Sequence, residues 1–138
     1  MTTVHAATMQ LSIPLTVSTE TLVAAVAAGM IGGPYGYAYW CSEVKVRNHP
    51  DLSGERIAQR VLSGGSATFT ETEGDNGEEN VRHTLTRSKL LTGFGRWVVE
   101  FGVGGSHDAQ SGVTDFEIDG PASDAIIQFA IFGEQKYC

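Results

Sequence analysis

Apolar and polar residues alternate from Met9 to Val17 (Met9, Leu11, Ile13, Leu15, Val17), the period of a half-buried strand. Pro14 has no N–H for a ladder hydrogen bond, which predicts a place at a sheet edge. Ser18 then reads as a helix N-cap, with Glu20 favourably placed in the positive first turn. The helix predicted from Thr19 to about Gly29 is rich in small side chains (Ala24, Ala25, Ala27, Ala28), and Gly29 with Gly32-Gly33-Pro34 ends it. Aromatic and β-branched residues between Tyr35 and Arg47 predict a strand from Tyr37 onward. Asn48–Gly54 is loop-like, and Glu55–Leu62 fits a short helix or a strand. Ser66–Glu73 and Glu78–Leu85 flank the turn sequence Gly74-Asp-Asn-Gly77, which predicts a β-hairpin. Thr86 caps a second helix, Arg87 to about Phe101, whose Leu90, Leu91, Phe94, Trp97, Val98 and Phe101 recur at spacings of three, four and seven. Residues 103–112 are rich in Gly and Ser and read as an exposed loop. Asp119-Gly-Pro-Ala leads into a last helix with Pro121 in its first turn. From Ala125 to Phe132 every residue but Gln128 is apolar. A helix without a polar face must be buried on most sides, in its own core or against a second copy.

The sum is an α+β fold: a mainly antiparallel sheet with a β-hairpin, packed against about three helices, as a single domain over residues 1–138. The hydrophobic share of 41% is enough for a core. Nine basic and sixteen acidic residues give a net charge of −7, which repels phosphate backbones and argues against binding duplex nucleic acid. The longest apolar run, Leu22–Ile31, is about half of the ~20 residues a membrane span needs, so no membrane association is expected. Cys41 and Cys138 do not resemble a secreted disulfide scaffold, and no signal-peptide pattern opens the chain. A cytoplasmic protein with reduced thiols is expected.

Candidate chemistry is sparse. His5, His49, His83 and His107 have no metal-ligand spacing, so neither a metal nor a cofactor is expected. Cys41 in a strand-like run reads as a buried structural thiol. The cluster Gly29–Gly36 lacks Gly-Lys-Ser/Thr and follows a helix rather than opening one, against the geometry of a phosphate loop. On a strand, Tyr35, Tyr37 and Tyr39 share one face and Trp40 the other. Such a face would stack on a nucleobase or pack beneath the last helix. Arg82, His83, Arg87 and Lys89 concentrate positive charge in an acidic chain, to hold a phosphate or carboxylate or to pair with Glu78 and Glu79. Asp124 and Gln128 share a helix face. A buried amide left unpaired costs roughly 1–3 kcal/mol, so Gln128 needs backbone partners or its mate across a two-fold axis. Glu71, Glu73, Asp75, Glu78 and Glu79 gather at the hairpin tip, as a solvated edge or as an imitation of nucleic-acid phosphates. No acid–base pair can be assembled, so no catalytic residue is named and binding is favoured over catalysis.

Three blocks carry a resemblance. Ile126-Ile-Gln-Phe-Ala-Ile-Phe-Gly-Glu-Gln-Lys-Tyr137 resembles the C-terminal signature of a family of short, uncharacterised phage and prophage proteins. His83-Thr-Leu-Thr-Arg-Ser-Lys-Leu-Leu-Thr-Gly93 and the pair Tyr39-Trp40 match two further signatures in the same order. The blocks cover about a third of the chain, which departs from the group in its Gly- and Tyr-rich residues 32–37 and in ending on Cys138 rather than Gly. The resemblance implies a small accessory protein of viral type, acting on a host component or on a signal used in host defence. The expectation is a homo-oligomeric anti-defence protein that sequesters a small nucleotide-like signal at Tyr35, Tyr37, Tyr39, Trp40, Arg82 and Arg87. Two alternatives stay open: an inhibitor of a host nuclease or defence protein that uses the acidic surface, and a small nucleotide-processing enzyme.

Overall fold

In the computed structural model, residues 7–30, 37–102 and 104–137 are described. Ser18 accepts from the Thr21 N–H and starts helix α1 (Thr19–Ala27) as its sequence predicts. Strand β1 before it is only Thr16–Val17, shorter than the alternation from Met9 predicts. Its neighbour β6 (Val113–Asp115) begins opposite Thr16 and follows a turn, and Pro14 offers no donor, so the ladder has nothing to continue along. β5 (Ser106–His107) completes this small sheet, in the order β1-β6-β5, inside the stretch the sequence marks as loop.

The larger sheet is antiparallel, with β3 (Ser66–Glu73) between β2 (Cys41–Lys45) and β4 (Glu79–Thr86). β3 and β4 are the predicted hairpin, in register from Ser66 opposite Thr86 to Glu73 opposite Glu79. Asn76 takes the left-handed conformation, with φ 60°, that the turn requires and that Asn tolerates. Tyr37–Tyr39 is a short 3-10 turn, and the strand begins only at Cys41. The undecided segment after the loop is helix α2 (Gly54–Leu62), capped by Ser53. It brings the helices among the described residues to four rather than about three.

α3 (Arg87–Phe101) is capped by Thr86 and closed by Gly102 at φ 59°. α4 (Gly120–Phe132) is capped by Asp119 and carries Pro in its first turn. Ile126, Ile127 and Gln128 have no exposed surface. α4 packs on α3, α1 and β4. The α3–α4 crossing is close because Gly93 has no side chain: a Cβ there would lie 2.6 Å from the Ala130 nitrogen. α4 is thus covered within one chain, and its burial does not itself require a second copy.

Candidate functional site

The tyrosines do not form a strand face. Tyr37 turns into the core, T-shaped to Phe69 and Trp40. Its hydroxyl donates to the Val26 carbonyl at 2.6 Å and lies 2.6 Å from Ser123 Oγ. Burial pushes the Tyr37 phenol well above its ordinary range, although Ser123 pulls it back in part. Ser123 Oγ donates to the Ala25 carbonyl at 2.7 Å and accepts from the Gly29 N–H at 3.0 Å, pinning α4 to the end of α1. Trp40 is buried and its Nε1 donates to Asp124 Oδ1 at 2.6 Å. Tyr39 is about half exposed, and its hydroxyl donates to Asp124 Oδ2 at 2.7 Å. Tyr35 lies outside the described residues.

Gln128 shows what this network does. Its Nε2 shares two N–H groups among three acceptors, Asp124 Oδ1 at 3.2 Å, the Tyr39 hydroxyl at 3.2 Å and the Tyr137 carbonyl at 3.0 Å. Its Oε1 accepts from the Tyr137 N–H at 2.7 Å. The buried amide finds backbone partners inside its own chain and folds the segment after α4 back over the sheet. Tyr137 then stacks on Trp40 with ring centres 6.0 Å apart.

Glu71 makes the second tie, and it is not the solvated tip residue that its neighbours in sequence suggest. It alternates with Ala67 and Phe69 on the core face of β3 and is 1% exposed. Oε1 accepts from His83 Nε2 at 3.0 Å, and Oε2 accepts from Lys136 Nζ at 2.7 Å and from the Tyr137 hydroxyl. Burial raises the Glu71 carboxyl, but the three donors outweigh it and hold the group below the usual carboxylate range. Lys136 is held above the usual ammonium range, chiefly by Glu71 and then by Asp75 at 3.0 Å. The period-two pattern of β3 carried this signal; the acidic run that follows it hid it.

Arg82 faces the other way. It pairs across the ladder with Thr70, one step from the core-facing pair of His83 and Phe69. The aromatic set and Arg82 therefore lie on opposite faces of the sheet. Arg87 is exposed on the first turn of α3 and lies outside the cavity that Arg82 lines. That cavity, of about 470 Å³, lies on the outer face and is lined by Lys45, Arg47, Arg82, Asn48, Thr68 and the apolar Val46 and Pro50. Its rim is built by the turn after β2. Val46 is buried and bridges to His49, and Asn48 takes the left-handed φ of 66° that brings the chain round. Three of the chain's nine Lys and Arg residues thus meet at one opening, with no carboxylate among the described residues of its lining. Lys45 pairs with Glu43 at 3.4 Å; among the described residues neither Arg47 nor Arg82 has an ion-pair partner. Lys89, near the same strand, donates to the Thr84 carbonyl at 2.9 Å. Of the predicted positive cluster, Arg82 alone joins this site. Lys45 and Arg47 join it without a sequence signal, because no local pattern links residues 45–48 to residue 82.

Cys41 is buried, its Sγ donates to the Glu43 carbonyl at 3.2 Å, and burial pushes its thiol up to about 11. It is a structural thiol, as its place in the sequence suggests. Among the described residues no three His, Cys, Asp or Glu side chains are grouped to hold a metal ion. No helix of the described residues is long and apolar enough to cross a membrane. Comparison with protein-family models, curated proteins and solved structures gives no match.

Proposed function

We propose that this is a non-catalytic binding protein that sequesters a small phosphate-bearing ligand, of the nucleotide-like kind used as a host signal, in the cavity of Lys45, Arg47 and Arg82. One observation carries the reading: three cations converge on a single opening in a chain of net charge −7, and two of them are uncommitted to any carboxylate among the described residues. Concentrating like charge on one face is unfavourable in the free protein and is relieved by an anion. Guanidinium groups suit this role because their planar donors match phosphate oxygens two at a time. The Asn48 amide and Thr68 hydroxyl add neutral donors. A volume of about 470 Å³ suits a ligand of nucleotide size. The surrounding negative charge disfavours long phosphate backbones, so a small anion is selected over duplex nucleic acid. Among the described residues the lining has no aromatic ring, so recognition rests on phosphate rather than on base stacking. The likeness of the C-terminal block to short phage proteins supplies the setting, an accessory protein that withdraws a host signal.

Calorimetry against linear and cyclic nucleotides and pyrophosphate tests this. The expected result is binding that weakens with salt, since exposed charges are screened within about 8 Å at physiological ionic strength. Arg82→Ala and Arg47→Ala are each expected to weaken it about 10- to 100-fold, the worth of one charged hydrogen-bonding group. Absence of heat with every anion, or affinity unchanged in both variants, overturns the proposal.

A further inference from the structure

Large apolar side chains exposed among the described residues fall almost wholly on two surfaces. Met9, Leu11, Ile13 and Leu15 are 90%, 83%, 80% and 46% exposed, and Leu91, Val99 and Phe101 of α3 are 45%, 79% and 53% exposed. The one other is Tyr39, which the Asp124 network holds. The first set alternates strictly, so on an extended backbone it lies on one side, and Val17, next in the series, already packs against the core. In the second set Leu91 and Val99 share a helix face with a notch: Leu91, Gly95 and Val99 are four apart, and a Cβ on Gly95 would meet nothing within 4 Å, whereas Phe101 turns to the side of Phe129.

We infer that residues 9–15 form an arm that seats on the Leu91–Gly95–Val99 face of α3 in a second copy, reciprocally. Three observations choose a second copy as the occupant. One chain presents both a projecting apolar ribbon and a notched apolar helix face, so a two-fold exchange accounts for each by the other. The ribbon is long enough to run the whole notched face: seven extended residues reach about 23 Å, and the eight-residue step from Leu91 to Val99 rises about 12 Å. Charge gives the third. Copies carrying −7 each repel one another except where neutral surfaces meet. Residues 7–17 contain no charged side chain; beside the α3 face Arg96 and Glu100 pair with each other at 3.3 Å, and Arg87 stands one turn before Leu91. Two reciprocal contacts, rather than one, bring such an interface toward the roughly 1,200–2,000 Å² that stable pairs bury.

Light scattering on the intact chain across a wide concentration range, repeated for Ile13→Glu and Val99→Glu, tests this. Both side chains are largely exposed in the single chain, so these variants keep its fold, and circular dichroism confirms that. The intact chain is expected at twice 14.7 kDa, and each variant is expected to raise the dimer dissociation constant at least about tenfold. Mixing the two variants recovers dimer in part, to a level above either variant alone and below the intact chain, because the arm of one then meets the unaltered α3 of the other at one of the two contacts. An arm folded onto its own α3, or arms that pair only with each other, gives no restoration. A monomeric intact chain, dimers indifferent to both substitutions, or a mixture no more dimeric than its components overturns the inference.

Discussion

Glu71→Gln removes one charge and almost no volume from the point where the C-terminal segment is tied to the sheet. In the folded protein this carboxylate accepts from His83, Lys136 and Tyr137 and has almost no contact with water. An amide keeps one acceptor oxygen and turns an NH2 group toward donors. Breaking a buried charged pair by changing one partner costs about 3–5 kcal/mol. Lys136 retains Asp75 and is 22% exposed, so its own charge is not stranded. The expected loss therefore sits near the low end, about 3 kcal/mol. For a chain of this size that lowers Tm by roughly 10 °C. The pH dependence gives a second, independent reading. Glu71 is held below the ordinary glutamate value of about 4.3. Its contribution is therefore complete above that value and is lost as pH falls through the folded-state value. Thermal melts of both proteins are expected to differ at neutral pH, and the gap is expected to shrink as pH falls below the ordinary glutamate value. Equal Tm at pH 7, or a gap that persists undiminished to about pH 3, refutes the claim that charge at this site holds the segment.

Gly93→Ala places a Cβ 2.6 Å from the Ala130 nitrogen and is expected to cost about 1–3 kcal/mol in thermal melts. Gly95→Ala, where a Cβ meets nothing within the single chain, is expected to add about 0.5–1 kcal/mol when tested in the Ile13→Glu background that leaves the notch empty. Asp124→Ala leaves the buried Trp40 N–H without its acceptor; a loss of about 2–3 kcal/mol and an altered near-ultraviolet tryptophan signal are expected. Cys41 is expected to react with thiol reagents at pH 7 more than about 100-fold slower than a free cysteine, measured in a Cys138→Ser background, because its thiol is buried and pushed up to about 11.

Caps, turns and helix periodicity are local, and they were legible. Ser18 and Thr86 cap the helices they precede, Asn76 makes the hairpin turn, and α3 runs from Arg87 to Phe101 as its apolar spacing demands. The isolated Gln128 in an apolar helix rightly signalled a buried amide in need of partners. The aromatic run misled because propensity for a strand yielded to tertiary bonds: Asp124 and Ser123, more than 80 residues away, draw Tyr37, Tyr39 and Trp40 into a turn beneath α4. Glu71 was read with the acidic residues beside it, whereas the alternation of β3 places it with Phe69. The cationic opening depends on a β2–β3–β4 register that sets Lys45 opposite Thr68 and Arg82 opposite Thr70, the next residue on the same face, and that register is a property of the sheet rather than of any stretch of chain.

Backbone amide shifts followed by NMR during titration with pyrophosphate test most directly whether the outer sheet face is the ligand site. Saturable shifts are expected at residues 45–48, 68 and 82, with the Tyr39–Asp124–Tyr137 network undisturbed. Shifts confined to that aromatic network, or none at the three cations, contradict the account.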